Sequence, residues 1–538
     1  MKRTGYRYRA ERAQDRYDCI VIGSGIGGLA CAALLAKLGR KVCVLEQHYT
    51  AGGFTHSYER KGFEWDVGVH YIGEVHKPHG TLRRIFDVIS EGRLQWAPMD
   101  AVYDRIIIGD RSVDFVAGRE NLAASLKTHF PQEAGAIDAY LTLVDRVARS
   151  AQKFFAGQAM PRMMARAYQT VRPMVVPREC FATVREVLEG LTDNQELIAF
   201  LTGQWGDYGM VPRDASFMMH ASVVRHYFGG GSYPVGGSWR IAESIIPTIR
   251  AAGGEVFTYA RVEQVLVEDG RATGVVMADG HRLRAETVVS DAGALNTFGQ
   301  LLPPAERERF GYDRKLAQVK PSGAHLCLYA GFRGSAAALG LPRTNLWVYP
   351  STDHEGNVAR FAADLDAPFP MLYISFPSAK DPEWDRHFPD KATVEVLTMG
   401  PWEPFAQWQD TVWGKRGPEY EALKERLQTR LLEALFRQLP QLREALVYAE
   451  LSTPLSTRWF DFTRHGEIYG LDHDVQRFRQ DWLHTSTPLK GLYLTGQDVV
   501  SAGVGGALMG GFMTTSVLLG RDAPKLMRLL KEGSAKAA

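Results

Sequence analysis

The chain has little of the chemistry that sorts proteins quickly. Its 538 residues include five cysteines and no C-x-x-C pair, which excludes a disulfide framework and the common structural zinc sites. Cys19, Cys31 and Cys43 lie close together near the N-terminus, where a thiol behaves as a small apolar group, so a reducing compartment is expected. Charge of one sign is lacking as well. With 63 basic against 61 acidic residues, no global field points to nucleic acid or to an acidic partner. Internal repeats and low-complexity tracts are missing. The early basic residues Lys2, Arg3, Arg7, Arg9, Arg12 and Arg16 have no apolar run behind them, so no secretory leader is read and a cytoplasmic location is expected. Long charge-free runs occur twice, at 19–36 and 499–520. The second has the length of a membrane span, about twenty residues, but five glycines from Gly503 to Gly511 break it, and a buried helix is expected there.

Between Tyr17 and Glu46 the sequence spells out a nucleotide-binding unit. An apolar strand, Cys19-Ile20-Val21-Ile22, runs into the turn Gly23-Ser24-Gly25-Ile26-Gly27-Gly28, then an alanine-rich helix and a second strand closed by Glu46. Gly23 suits the tight turn, Gly25 lets backbone approach a pyrophosphate, and Gly28 lets the helix pack on the strand. The diphosphate would sit on the positive helix N-terminus, and the Glu46 carboxylate would accept from ribose hydroxyls. The unit continues through a glycine pair, Gly52-Gly53, into the glycine-studded segment 62–73. A simple NAD-dehydrogenase needs no such extension. A cofactor that stretches through the fold and presents a flat ring does, because glycine lets backbone pass against the ring.

Periodicity organises the rest. Residues from about 100 to 228 read as largely helical, with apolar residues at three- and four-residue steps over 120–130 and 134–155. Strands are expected at 254–267, 272–277 and 286–290, with Arg261-Val262 placed to lay backbone on an adenine. A second sheet is expected from strands at 324–329, 371–376 and 392–399, followed by a helix at 418–438. The chain then returns to glycine: a strand 491–495 delivers Asp498 to accept from a polyol hydroxyl, and the turn Gly503-Val504-Gly505-Gly506 opens a helix whose N-terminus faces the cofactor. The expected fold is α/β, with a discontinuous Rossmann-like cofactor domain in three parts (1–95, 229–300 and 486–538), a helical cap region (96–228) and a mixed α+β substrate domain (301–485).

These residues resemble the phytoene desaturase, carotenoid isomerase and retinol saturase group of amine-oxidase-like flavoproteins. Beyond the nucleotide turn, the likeness is carried by Gly229-Gly230-Gly231-Ser232-Tyr233-Pro234-Val235-Gly236-Gly237, Phe376-Pro377-Ser378-Ala379-Lys380-Asp381-Pro382, Tyr469-Gly470-Leu471-Asp472-His473-Asp474 and Leu492-Tyr493-Leu494-Thr495-Gly496-Gln497-Asp498. It implies noncovalent FAD and chemistry on double bonds of long apolar isoprenoids such as retinoids and carotenoids. By position, the implied FAD contacts are Gly23, Gly25, Gly27, Gly28, Glu46, Gly53, Val262, Asp498 and Gly505.

Saturation of an alkene needs a hydride and a proton, desaturation reverses this, and isomerisation leaves no net redox change. Saturation is the leading expectation, desaturation or isomerisation the alternative, with an amine oxidase or a flavin-holding lipid carrier further off. His70 and Tyr71, after the glycine segment, are candidate proton donors, since a histidine titrates near neutrality; Tyr233 is a third candidate. Each also suits a packed structural role. Lys380 and Asp381 are expected to pair with each other or to sit at a tunnel mouth. Asp472-His473-Asp474 alternates in direction along a strand and has no further ligand cluster, so no metal is assigned. Only one dinucleotide fingerprint is present, so electrons are expected from, or to, an external carrier. Between Lys153 and Arg178, Phe154, Phe155, Met160, Met163, Met164, Met174, Val175 and Val176 alternate with Arg162, Arg166, Arg172 and Arg178. Such a segment suits either peripheral contact with an anionic membrane or a cap helix.

Overall fold

The computed structural model describes residues 4–537. Its first sheet is built from chain segments far apart in sequence. Arg16–Ile22 lies at the centre, pairing in parallel with Val42–Leu45 on one side and Arg282–Ser290 on the other, so that Val21 faces Val44 and Val289 in register. Leu492–Leu494 adds to Arg282–Ser290 in parallel, while Glu255–Thr258 and then Tyr6–Arg7 extend the opposite edge. An antiparallel meander, Val262–Glu268 and Arg271–Met277, completes the sheet.

The helix Ile26–Lys37 is buried along its whole length up to Ala36. It is therefore apolar all round, as a helix covered on every side must be. Much of its cover is the helix Gly503–Leu519, whose buried residues Leu508, Gly510, Gly511, Thr514 and Thr515 lie on one face. A Cβ on Gly511 would fall 2.4 Å from the Gly27 carbonyl oxygen, so the two backbones touch. The charge-free run is thus not a wholly buried helix as expected: one face is clamped on Ile26–Lys37 and the remainder is partly exposed. The continuous helical stretch Gly503–Glu532 is long and apolar enough to cross a membrane by length and composition.

The second sheet runs in the order Leu446–Ser452, His325–Arg333, Lys391–Met399, Leu372–Ser375, Asn345–Tyr349, Val102–Ile108, Arg111–Val116. Only the pairing of Asn345–Tyr349 with Val102–Ile108 is parallel. The helices expected at 120–130, 134–155 and 418–438 form as Arg119–His129, Ala134–Ala156 and Pro418–Gln438. The hairpin 102–116 departs from the helical reading of that region. Its strands bury Tyr103, Ile106, Ile108, Val113 and Phe115 and leave Arg105 outward, an alternation that belongs to a sheet with one covered face.

Because the helix clamp leaves no room for side chains, Gly511→Val should separate the two helices. A loss of about 1–3 kcal/mol, the usual cost of overpacking, is expected in denaturant unfolding; an unchanged midpoint would contradict the clamp.

Candidate functional site

A cavity of about 710 Å³ opens where the two sheets meet, within the size range of small-molecule sites. One end is the nucleotide unit: Gly23, Ser24, Gly25, Ile26 and Gly27, with Glu46 and Val262 beside them. It passes Gly52, Gly53 and Phe54, then the first turn of the C-terminal helix at Gly503 and Val504. Its other end is a chamber walled by His70, Asp207, His325, Trp347, Met371 and Tyr373.

At the nucleotide end, Gly23 holds φ at +95° for the turn. A Cβ on Gly25 would lie 2.5 Å from Asp291 Oδ2, and one on Gly28 would meet the Gly23 carbonyl oxygen at 2.6 Å. Gly28 does not line the cavity; it lets the helix lie on the loop. Glu46 is already engaged, its Oε2 accepting from the Ser24 amide (2.9 Å) and hydroxyl (2.7 Å) and its Oε1 from the His48 amide (2.8 Å). A carboxylate has about four lone-pair sites, so one acceptor position remains for a ligand hydroxyl. Asp498 likewise fastens two loops, accepting from the Ala294 amide (2.7 Å) and the Leu471 amide (3.0 Å), and also lines the cavity. The adjacent Thr495 hydroxyl is buried on the wall without a hydrogen-bond partner. Gly505 does not line the cavity; it sits against Leu82 and His226, and its neighbours Gly503 and Val504 present the helix N-terminus instead. Spare acceptors, an orphaned hydroxyl and two helix N-termini on one wall fit a dinucleotide.

Asp291 was not singled out in the sequence. Its carboxyl is wedged between the glycine loop and Gly496. Burial pushes its pKa up to about 7, opposed by the Gly28 and Gly25 amides and reinforced by the charges of Glu46 and Asp498.

The chamber end holds a buried polar layer. His70 lines it, with Nδ1 2.8 Å from Glu395 Oε2 and its ring packed against Tyr373. Burial lowers His70 to about 3, and burial raises Glu395 to about 8. Both are therefore neutral at pH 7, and His70 does not titrate near neutrality as the sequence led one to expect. Tyr71 does not line the cavity; its hydroxyl lies behind, between Asp207 (2.8 Å) and Asp104 (2.9 Å). Tyr233 lies apart, its hydroxyl bonded to Asp66 and its side chain buried away from the cavity. Lys380 and Asp381 neither pair nor mark a mouth. Lys380 is buried and donates to the His70 carbonyl (3.0 Å), Ser375 Oγ (2.8 Å) and Asn345 Oδ1, while Asp381 accepts from the Gly236 amide (2.9 Å). His473 anchors the C-terminal turn, accepting from the Ala502 amide (2.8 Å) and from Arg477 (2.7 Å).

A family model described as an NAD(P)-binding Rossmann-like domain matches residues 21–89. The all-trans-retinol 13,14-reductase of Danio rerio is 36% identical over 98% of this chain and 91% of its own length. The chloroplastic prolycopene isomerase of Arabidopsis thaliana is 27% identical over 91% of this chain and 80% of its own. Among solved structures, cyclohexylamine oxidase from Brevibacterium oxydans superposes with a TM-score of 0.58 at 18% identity, covering 96% of this chain and 99% of that one. At that identity the likeness speaks for the fold alone.

Asp291 gives the site a pH signature. An acid whose folded pKa is raised keeps its proton while the unfolded chain has lost it, so stability falls as pH rises from about 4 to about 7. Other raised carboxyls share that window, so the comparison must be with Asp291→Asn. Thermal unfolding of the ligand-free proteins should show the variant gaining on the parent as pH rises through it, by up to about 1.4 kcal/mol per pH unit. A constant difference across the window would refute the raised pKa.

Proposed function

The chain belongs to the family of the all-trans-retinol 13,14-reductases, and from that membership we propose that it is an FAD-dependent oxidoreductase that saturates a carbon–carbon double bond of a long apolar isoprenoid. The observation that carries the reading is the continuity of one cavity from a dinucleotide cradle into a chamber of aromatic and neutral polar side chains. Gly23, Gly25 and Gly27 would surround the pyrophosphate, with Gly28 supporting the loop. Glu46 would take the ribose, Val262 the adenine, and Gly53 and Asp498 the middle of the cofactor. Gly505 would contribute only through the backbone of its turn. FAD, when bound there, supplies the hydride that an alkene carbon needs.

The chain's own residues do the rest. Trp347, Met371 and Tyr373 would hold a flat polyene and exclude water, and burial keeps His70 and His325 neutral, so no imidazolium faces the chamber. A desaturase or a redox-neutral polyene isomerase is the alternative, favoured by the similarity to a prolycopene isomerase. An amine oxidase is disfavoured, because the likeness there is one of fold. No second dinucleotide fingerprint occurs in the sequence, so an external carrier would supply the electrons.

Access for an insoluble substrate would come from a membrane surface. The helix Arg162–Val175 buries only Ala165 and exposes Met163 (85%) and Met174 (84%). Not all of the basic, Met-rich segment is available for this. Phe154, Phe155 and Val176 are buried, and Arg172 lies 4.1 Å over the Phe154 ring and bonds the Phe478 carbonyl. The lipid-facing set would be Met163, Met164, Met174 and Arg166.

Three outcomes are expected. The purified protein should carry FAD, and Gly25→Val should lose it. With a chemical reductant, the holoprotein should add two mass units to all-trans-retinol or prolycopene; loss of two units would indicate desaturation, and altered retention at constant mass isomerisation. In flotation with phosphatidylserine-containing vesicles the parent should rise and the double variant Met163→Glu, Met174→Glu should not, with flavin content equal. Equal flotation of both would place lipid contact elsewhere.

A further inference from the structure

The Tyr71 hydroxyl stands between two carboxyl groups, 2.8 Å from Asp207 Oδ2 and 2.9 Å from Asp104 Oδ2. A phenol has one proton to donate. It can give that proton to one carboxylate only, so at the other contact its oxygen must accept, and that carboxyl must carry a hydrogen. The remaining bonds decide which. Asp104 takes N–H bonds from Gln204 Nε2 (2.7 Å) and Asn345 Nδ2 (2.9 Å), donors that favour a carboxylate. Asp207 has no other side-chain hydrogen-bond partner among the described residues. The proton therefore rests on Asp207, which donates to Tyr71, which donates to Asp104.

Asp207 also differs from Asp104 in where it faces. Asp104 is completely buried, whereas Asp207 keeps some accessible surface and lines the cavity at the chamber end. It is carried by the turn Trp205–Asp207, opposite no imidazolium, since His70 and His325 are neutral.

We infer that Asp207 is the acid that protonates the substrate carbon, with Tyr71 and Asp104 as positioning residues behind it. This deepens the proposed saturation and rests on it. With FAD bound to supply the hydride, the alkene would take that hydride at one carbon and, at the other, the Asp207 proton, which gives up its hydrogen bond to Tyr71 as it is transferred. The electron pair of the hydride ends in one new C–H bond, the π pair in the second, and Asp207 is left as carboxylate. Two carboxylates then share the single Tyr71 proton, a like-charge arrangement that drives uptake of a replacement from water. Burial, and next the charge of Asp104, hold the Asp207 pKa well above the usual carboxylate range, against the Tyr71 bond, in the same direction as the proton that the hydrogen-bond pattern assigns to it. The arrangement also accounts for why Tyr71, adjacent to His70, sits one step back from the chamber.

The test has one arm that needs no turnover. In infrared difference spectra of the protein, Asp207→Asn should remove one protonated-carboxyl C=O band and Asp104→Asn should not; a band that survives Asp207→Asn would overturn the assignment. The second arm mixes photoreduced holoprotein with all-trans-retinol or prolycopene and follows flavin reoxidation and product mass. Asp207→Asn should retain FAD and polyene affinity but reoxidise at least about a hundredfold more slowly, the usual contribution of a general acid. Asp207→Glu should restore part of the rate, and Tyr71→Phe should slow it less than Asp207→Asn does. Parent-like reoxidation by the Asn variant would overturn the inference while leaving saturation standing. A parent that adds no mass to either polyene would overturn the saturation reading and the acid's role with it.

Discussion

One buried ammonium ties the two halves of the site together. Lys380 comes from the substrate-side sheet region, yet one of its three N–H donors goes to the carbonyl of His70, at the end of the glycine-studded segment that continues the nucleotide unit. The other two go to Ser375 and Asn345. Asn345 in turn donates to Asp104, so the same cation orients the carboxylate behind Tyr71. An ammonium in the interior costs several kcal/mol unless its donors are all met and anions lie near. Burial pulls Lys380 down to about 7, while Glu395, Asp104 and Asp66 oppose the fall. Replacing it would leave three acceptors without a donor and release the wall that carries His70.

The chamber's electrostatics follow from the same burial. A group that cannot be solvated adopts its neutral form: His70 and Glu395 face each other uncharged, and His48 and His56 nearer the nucleotide end are held at about 4 and about 3. Charge is kept where several hydrogen-bond partners converge, as on Lys380 and Asp104. A polyene, which offers no hydrogen bonds along its length, suits walls of this kind, and developing charge on it would be felt strongly because little else competes.

What could be read from the sequence divides along a physical line. The strand, glycine turn, helix, strand and Glu46 were legible because their roles depend on neighbours within about thirty residues and on backbone geometry. The long helices at 134–156 and 418–438 announced themselves by periodicity. The hairpin 102–116 did not, because its seven- and six-residue strands adjoin a helical tract and are stabilised by a partner at Asn345–Tyr349 that no local pattern reveals. Asp207, Asp104 and Glu395 were invisible for a sharper reason. A carboxylate in sequence looks solvated, and only the arrival of Tyr71, Asn345 or His70 from more than thirty residues away makes it a buried acid. Tyr71 and His70 were noticed by position after the glycines, but their partners, which decide what each can do, were not.

The first sheet is assembled from Arg16–Ile22, Val42–Leu45, Arg282–Ser290 and Leu492–Leu494, and its cavity is closed by the turn at Gly503. During synthesis the central strand and its helix emerge first, yet the strand at 492 follows only after about 20 to 90 s at ordinary elongation rates. Until then the apolar face of Ile26–Lys37 that the C-terminal helix covers has no native cover. The nascent chain therefore carries an unfinished cradle through most of its translation, and a chain terminated before residue 490 would lack the strand Leu492–Leu494 and the Asp498 bonds that complete the nucleotide site, although every residue of the glycine fingerprint was present.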